Sequence, residues 1–115
     1  PEDKFKKLVM FAVAHEAVHC LTFDESPHEI VAEELDIQGL SKEAIIELTS
    51  DLIALVYLDK KYGHEASTDM VNTLKRIRQY NFAERLYFGS EYNYSEYVSL
   101  DNAHLINERL GLLIN

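Results

Sequence analysis

Residues 8–21 read Leu8-Val9-Met10-Phe11-Ala12-Val13-Ala14-His15-Glu16-Ala17-Val18-His19-Cys20-Leu21. No Pro or Gly interrupts the run, so it predicts a helix. Nearly every other side chain in it is apolar, which predicts a helix buried almost all round. Three polar side chains at its centre then need partners, because a buried imidazole or carboxylate left unpaired is costly. His15 and His19 are four residues apart and project from one face, continuing a stripe that holds Phe5, Leu8 and Ala12. Two imidazoles one turn apart can chelate a single ion, and Zn²⁺ is the usual occupant of such a site. Glu16 stands about 100° round the helix, beside the ion rather than on it. A carboxylate there can take a proton from an attacking water. The pattern points to metal-assisted hydrolysis, most often of a peptide bond.

Two imidazoles do not complete a zinc site, which commonly has three protein ligands and an open position when it is catalytic. A second helical pattern, residues 41–62, contains Glu47-Leu48-Thr49-Ser50-Asp51. Glu47 and Asp51 again have four-residue spacing and share a face with Ala44, Ala54 and Leu58. Two carboxylates in so apolar a segment call for a cation. Glu47 is the expected third ligand. Asp51, one turn on, is expected to accept from the non-ligating nitrogen of His15 and so hold its tautomer and ring orientation. His28, Glu33 and Glu34 are the nearest competitors. Ser26-Pro27-His28-Glu29 reads as a helix start, with Ser26 as N-cap and Glu29 closing a capping box, and Glu33 and Glu34 read as a solvated face.

His-Glu-x-x-His followed by Glu-x-x-x-Asp resembles the gluzincin metallopeptidases, the thermolysin-like group, and in size the chain resembles the short stand-alone minigluzincins. The resemblance implies His15, His19 and Glu47 as zinc ligands, Glu16 as general base and Asp51 as support for His15. It covers residues 15–51. A metzincin would need Gly and His where Thr22 and Glu25 stand. In gluzincins a small sheet precedes the active-site helix and its edge strand binds substrate backbone. Here residues 1–14 read mostly as the motif helix itself, so that edge is expected from a later segment or from a longer parent chain. The rival expectation is a latent or non-catalytic zinc protein acting as a regulatory or interaction module.

With 115 residues, 47% of them hydrophobic, one domain over 1–115 with a real core is expected. A formal net charge of −9 repels phosphate backbones and argues against nucleic-acid binding. The one basic cluster, Lys75, Arg76, Arg78 and Arg85, reads as a solvated helix face. The expected partner is a peptide or protein substrate, with self-association through apolar surfaces such as Leu110-Gly111-Leu112-Leu113-Ile114 as a further possibility. Cys20 is the only cysteine, which excludes an intramolecular disulfide and suits a reducing, cytoplasmic setting. No signal peptide is visible, and residues 8–21 are too short to span a bilayer.

The expected fold is mainly α, a compact bundle of about five helices around a buried His-Glu-x-x-His helix, at 3–22, 27–37, 41–62, 67–88 and 99–113. Ser41 and Ser67 are expected N-caps, and Gly39 and Gly63 expected left-handed caps. The exception is residues 87–97, rich in Tyr with a Gly89-Ser90 break, which leaves room for a short β-ribbon near 87–98. Hydrolysis also needs a donor for the developing oxyanion, and Tyr92, Tyr94, Tyr97, His64 and His104 are eligible by type.

Overall fold

A computed structural model describes residues 2–19, 27–80 and 94–111, with the side chains of 2, 19 and 78–80 outside the description. Five α-helices are found among the described residues: α1 (Glu2–His19), α2 (Pro27–Glu34), α3 (Lys42–Tyr62), α4 (His64–Tyr80) and α5 (Leu100–Leu110), with a 3₁₀ turn at Tyr94–Tyr97 before α5. The mainly helical bundle is as expected. No strand occurs among the described residues, and residues 87–93 of the expected ribbon lie outside them.

The bundle is organised round α3 rather than α1. Ser41 caps α3 in an extended conformation, its Oγ accepting from the N–H of Ala44 at 3.1 Å. Glu43 in the first turn and Lys60 and Lys61 in the last complement the helix dipole. Gly63, at φ 94°, closes the helix in a conformation that a side chain would strain. Ala44, Leu48, Leu52, Leu55, Val56 and Leu58 are fully buried, and with Ser50, Ile53 and Ala54 also buried the middle of α3 is enclosed on every side. Each of the other four helices packs on it.

α1 is equally apolar in sequence but is buried along one side. Phe11, His15 and Val18 face the core, while Phe5 remains 67% exposed and Val13 59%. Among the described elements α1 packs chiefly on α3, and one neighbour covers only one face of a helix. The expectation of a motif helix buried nearly all round is corrected accordingly.

Three boundaries differ from expectation for local reasons. α2 ends in a Schellman-type cap in which Asp36 takes the positive φ (49°), while Gly39, also at positive φ (80°), lies three residues beyond it. The N–H of Ile37 donates to Ala32 and that of Asp36 to Glu33, which satisfies two terminal carbonyls. α4 begins at His64, directly after Gly63, so Ser67 is not its cap. Ser67 is fully buried and donates from Oγ to Asp59 at 2.7 Å. α5 stops before Gly111, whose αL conformation (φ 72°) returns its N–H to the carbonyls of Asn107 and Glu108. No helix of the described residues is long and apolar enough to cross a membrane.

Candidate metal centre

α1 lies against α3 so that His15 meets both carboxylates of the downstream motif. Nδ1 of His15 is 2.8 Å from Oδ1 of Asp51, and Nε2 is 3.0 Å from Oε2 of Glu47. The Asp51 approach lies off the line of the ring N–H, making it a close ion contact rather than an aligned hydrogen bond. Four-residue spacing on α3 puts Glu47 and Asp51 one turn apart, matching the two edges of a single imidazole. Phe11, one turn before His15, packs its ring at 6.2 Å between centroids and 45° of tilt. That contact and the core face of α1 restrict the ring to this presentation.

Exposure grades across the site. Asp51 is fully buried, the His15 side chain is 9% exposed, and Glu47 is 26% exposed. Burial works against a charged His15 ring, but Asp51 and Glu47 outweigh it, and the ring is pushed up to about 9. At neutral pH the metal-free ring therefore carries protons on both nitrogens, its charge balanced by the two carboxylates. Glu16 lies exposed on the solvent side of α1.

Two of the three expected ligand residues, His15 and Glu47, can be placed. Nε2 of His15 and Oε2 of Glu47 face one another with their partners arranged behind them. Ligand atoms of a tetrahedral zinc site stand about 3.4 Å apart, given metal–ligand distances of about 2.1 Å. The observed 3.0 Å pair needs only a small separation to admit the ion. The side chain of His19, the other expected ligand, lies outside the described residues. No group of three possible metal ligands is gathered among the described residues, a set that lacks that side chain.

The candidate oxyanion donors are dispersed. The Tyr94 hydroxyl donates to Oδ2 of Asp51, behind His15 and on the Nδ1 side of its ring. Tyr97 accepts at its hydroxyl from the N–H of Gln38, 3.4 Å away. His104 and His64 meet at neither edge of His15. Nε2 of His104 is 2.8 Å from Oδ2 of Asp59, and Nδ1 of His64 is 2.6 Å from Oδ1 of the same carboxylate. Asp59 lies eight residues past Asp51, about 12 Å along α3. In this arrangement Tyr94, Tyr97, His64 and His104 are each engaged with partners other than His15 and Glu47, and Tyr92 lies outside the described residues.

The Asp59 cluster was missed in sequence, although a signal was present. Asp59 follows Leu52 by seven residues and Leu55 by four, which puts its carboxylate on the core face of α3. A separate apolar groove of about 300 Å³, lined by Met10, Ala14, Ala17, Ile53 and Tyr57, opens between α1 and α3. By helical spacing it lies on the side of α1 away from His15. It therefore does not belong to this centre. Compared with known protein families, curated proteins and solved structures, the chain matches none.

Proposed function

We propose that this chain is a zinc-dependent hydrolase of gluzincin type acting on peptide bonds. Its ligands would be His15, His19 and Glu47, with Glu16 as general base and Asp51 orienting His15. The reading is carried by the presentation of His15, with Nδ1 against buried Asp51 and Nε2 toward Glu47. Two carboxylates at opposite edges of one ring, on adjacent turns of a neighbouring helix, are the donor pattern of a metal ligand and its support.

Zn²⁺ bound there would supply Lewis acidity, polarising a water and the scissile carbonyl. Asp51 holds the His15 ring and raises the basicity of Nε2. To ligate an ion His15 would first have to release a proton, which would couple zinc uptake to pH. Glu16, open to solvent, takes a proton from the attacking water and passes it to the leaving amine. A peptide or protein is the substrate, and the lone Cys20 suits a reducing, cytoplasmic setting.

The test is zinc content and cleavage of a mixed fluorogenic peptide library by wild type beside Glu16→Ala. Stoichiometric zinc in both, with cleavage only in wild type, supports the reading. Equal cleavage in both removes Glu16 from the mechanism. Absence of bound zinc overturns the metal site, and zinc without cleavage would leave a latent or binding module.

A further inference from the structure

We infer that Tyr94 is a positioning residue for this centre, and that through it the C-terminal layer of the fold sets how His15 is presented. The inference rests on the zinc reading above.

Asp51 is wholly buried, and such a carboxylate is held only by engaging its oxygens. Oδ1 faces Nδ1 of His15 at 2.8 Å, and Oδ2 accepts the hydroxyl hydrogen of Tyr94. The terminal torsion of an Asp side chain is broad and roughly two-fold, so one contact alone leaves the carboxylate free to turn. With both oxygens held, the Oδ1 that orients His15 has one position. Tyr94 is itself fully buried, and a buried tyrosine hydroxyl requires a partner. The arrangement is thus a chain of contacts, Tyr94 to Asp51 to His15 to Glu47, joining positions 43 and 32 residues apart in sequence.

Tyr94 is fixed by the packing of its turn on α4 and α3 and by the tie of that turn to α5. The 3₁₀ turn carrying it is tied to α5 by Asn102, whose Nδ2 donates to the carbonyl of Tyr97 at 3.0 Å. Val98, between the turn and the Ser99 cap, is fully buried. α5 is in turn seated on α3 by the fully buried Ala103 and Ile106 and by the His104–Asp59 contact. Moving α5 would move the hydroxyl that holds Asp51. Tyr94 sits on the Nδ1 edge of His15, opposite the Nε2 edge that would face the ion, so it acts through Asp51 and touches neither ion nor substrate.

Tyr94→Phe removes one oxygen atom and keeps the ring. The expected result is a folded protein with unchanged zinc stoichiometry, affinity lowered about 10- to 100-fold, and an altered visible spectrum of the cobalt-substituted form. Tyr97→Phe, whose hydroxyl serves the Gln38 N–H instead, should leave affinity and spectrum unchanged. In an Asp51→Asn background, Tyr94→Phe should add little, because the two act in one chain. If Tyr94→Phe loses its fold, 3-fluorotyrosine at position 94 keeps the packing and strengthens the donor; an unchanged cobalt spectrum there overturns the inference. A folded Tyr94→Phe with wild-type affinity and spectrum overturns it too while leaving the zinc reading intact. A wild type that binds no zinc overturns the zinc reading itself.

Discussion

Two buried carboxylates on α3, Asp51 and Asp59, are built from the same parts and end in different chemistry. Each engages both oxygens, and each meets an imidazole from another helix. The difference lies at the far edge of the imidazole. At Asp51 the ring of His15 is buried and its second nitrogen faces Glu47, so donor atoms converge inside the fold. At Asp59 the rings open outward, His64 being 84% exposed and His104 37%. Asp59 instead ties α3 to the start of α4, through His64 and Ser67, and to α5, through His104. An Asp–His pair thus becomes a candidate metal centre when a second carboxylate faces the other nitrogen, and a structural clamp when water does.

The electrostatics follow the same division. At Asp51 the carboxylates overcome burial and lift His15 to about 9. At Asp59 burial alone would raise the carboxyl, but hydrogen bonds from Ser67, His104 and His64 outweigh it and hold it below the usual carboxylate range.

The comparison can be broken most decisively at Glu47. Glu47→Ala leaves His15 with Asp51 alone, and zinc affinity measured by competition with a chromophoric chelator should fall by more than about 100-fold, since losing a ligand costs more than losing its support. Asp59→Asn in the same assay should weaken zinc far less, because Asp59 reaches the centre only through the seating of α5. If Asp59→Asn weakens zinc as strongly as Glu47→Ala, the two clusters are not separate.

The pH dependence of the zinc-free protein sharpens the division. His15 has a folded pKa above its unfolded value near 6.5, so its contribution is fully present below 6.5 and is lost as pH rises through about 9. Denaturant titrations between pH 6.5 and 9.5 should show a loss of about 2 kcal/mol, after allowance for solvent screening. Asp51→Asn should flatten that dependence. Asp59 works in the opposite sense: its pKa is depressed, so its contribution is present above the usual value of 3.8 and is lost as pH falls through the folded value. Asp59→Asn should therefore reduce the acid sensitivity of unfolding and leave the alkaline limb alone.

Smaller effects should separate the clamp into its parts. Ser67→Ala removes a buried donor and is expected to cost about 1–2 kcal/mol in chemical denaturation. His64→Ala, at a side chain open to solvent, should cost less than about 1 kcal/mol. A cost for His64→Ala equal to that for Ser67→Ala would mean that the exposed ring carries as much of the clamp as the buried hydroxyl.

His15, Glu47 and Asp51 were legible in sequence because helical spacing is a local rule. Two pairs at four-residue spacing, each inside an apolar run, must each share a face, and polar groups on apolar faces need one another. The same rule could have flagged Asp59. Tyr94 was legible only as a tyrosine eligible by type. Its hydroxyl serves Asp51 because its turn packs on α3 and α4, and no local pattern encodes that contact. Nor could sequence rank the two apolar helices. The run 8–21 and the run 52–58 look alike, and which of them becomes the hub depends on how many neighbours reach it.

The amino-acid order by itself determined the helices, the caps of α3 and the pairing of the two chemical motifs, because hydrogen-bonded turns and the 3.6-residue period act within a few residues. Tertiary structure alone decided that α3 is central, that α1 keeps an apolar face in solvent, and that Tyr94 backs Asp51 while His104 backs Asp59. Those outcomes depend on close packing between segments far apart in sequence, where burial of a shared surface, not local propensity, selects the partner.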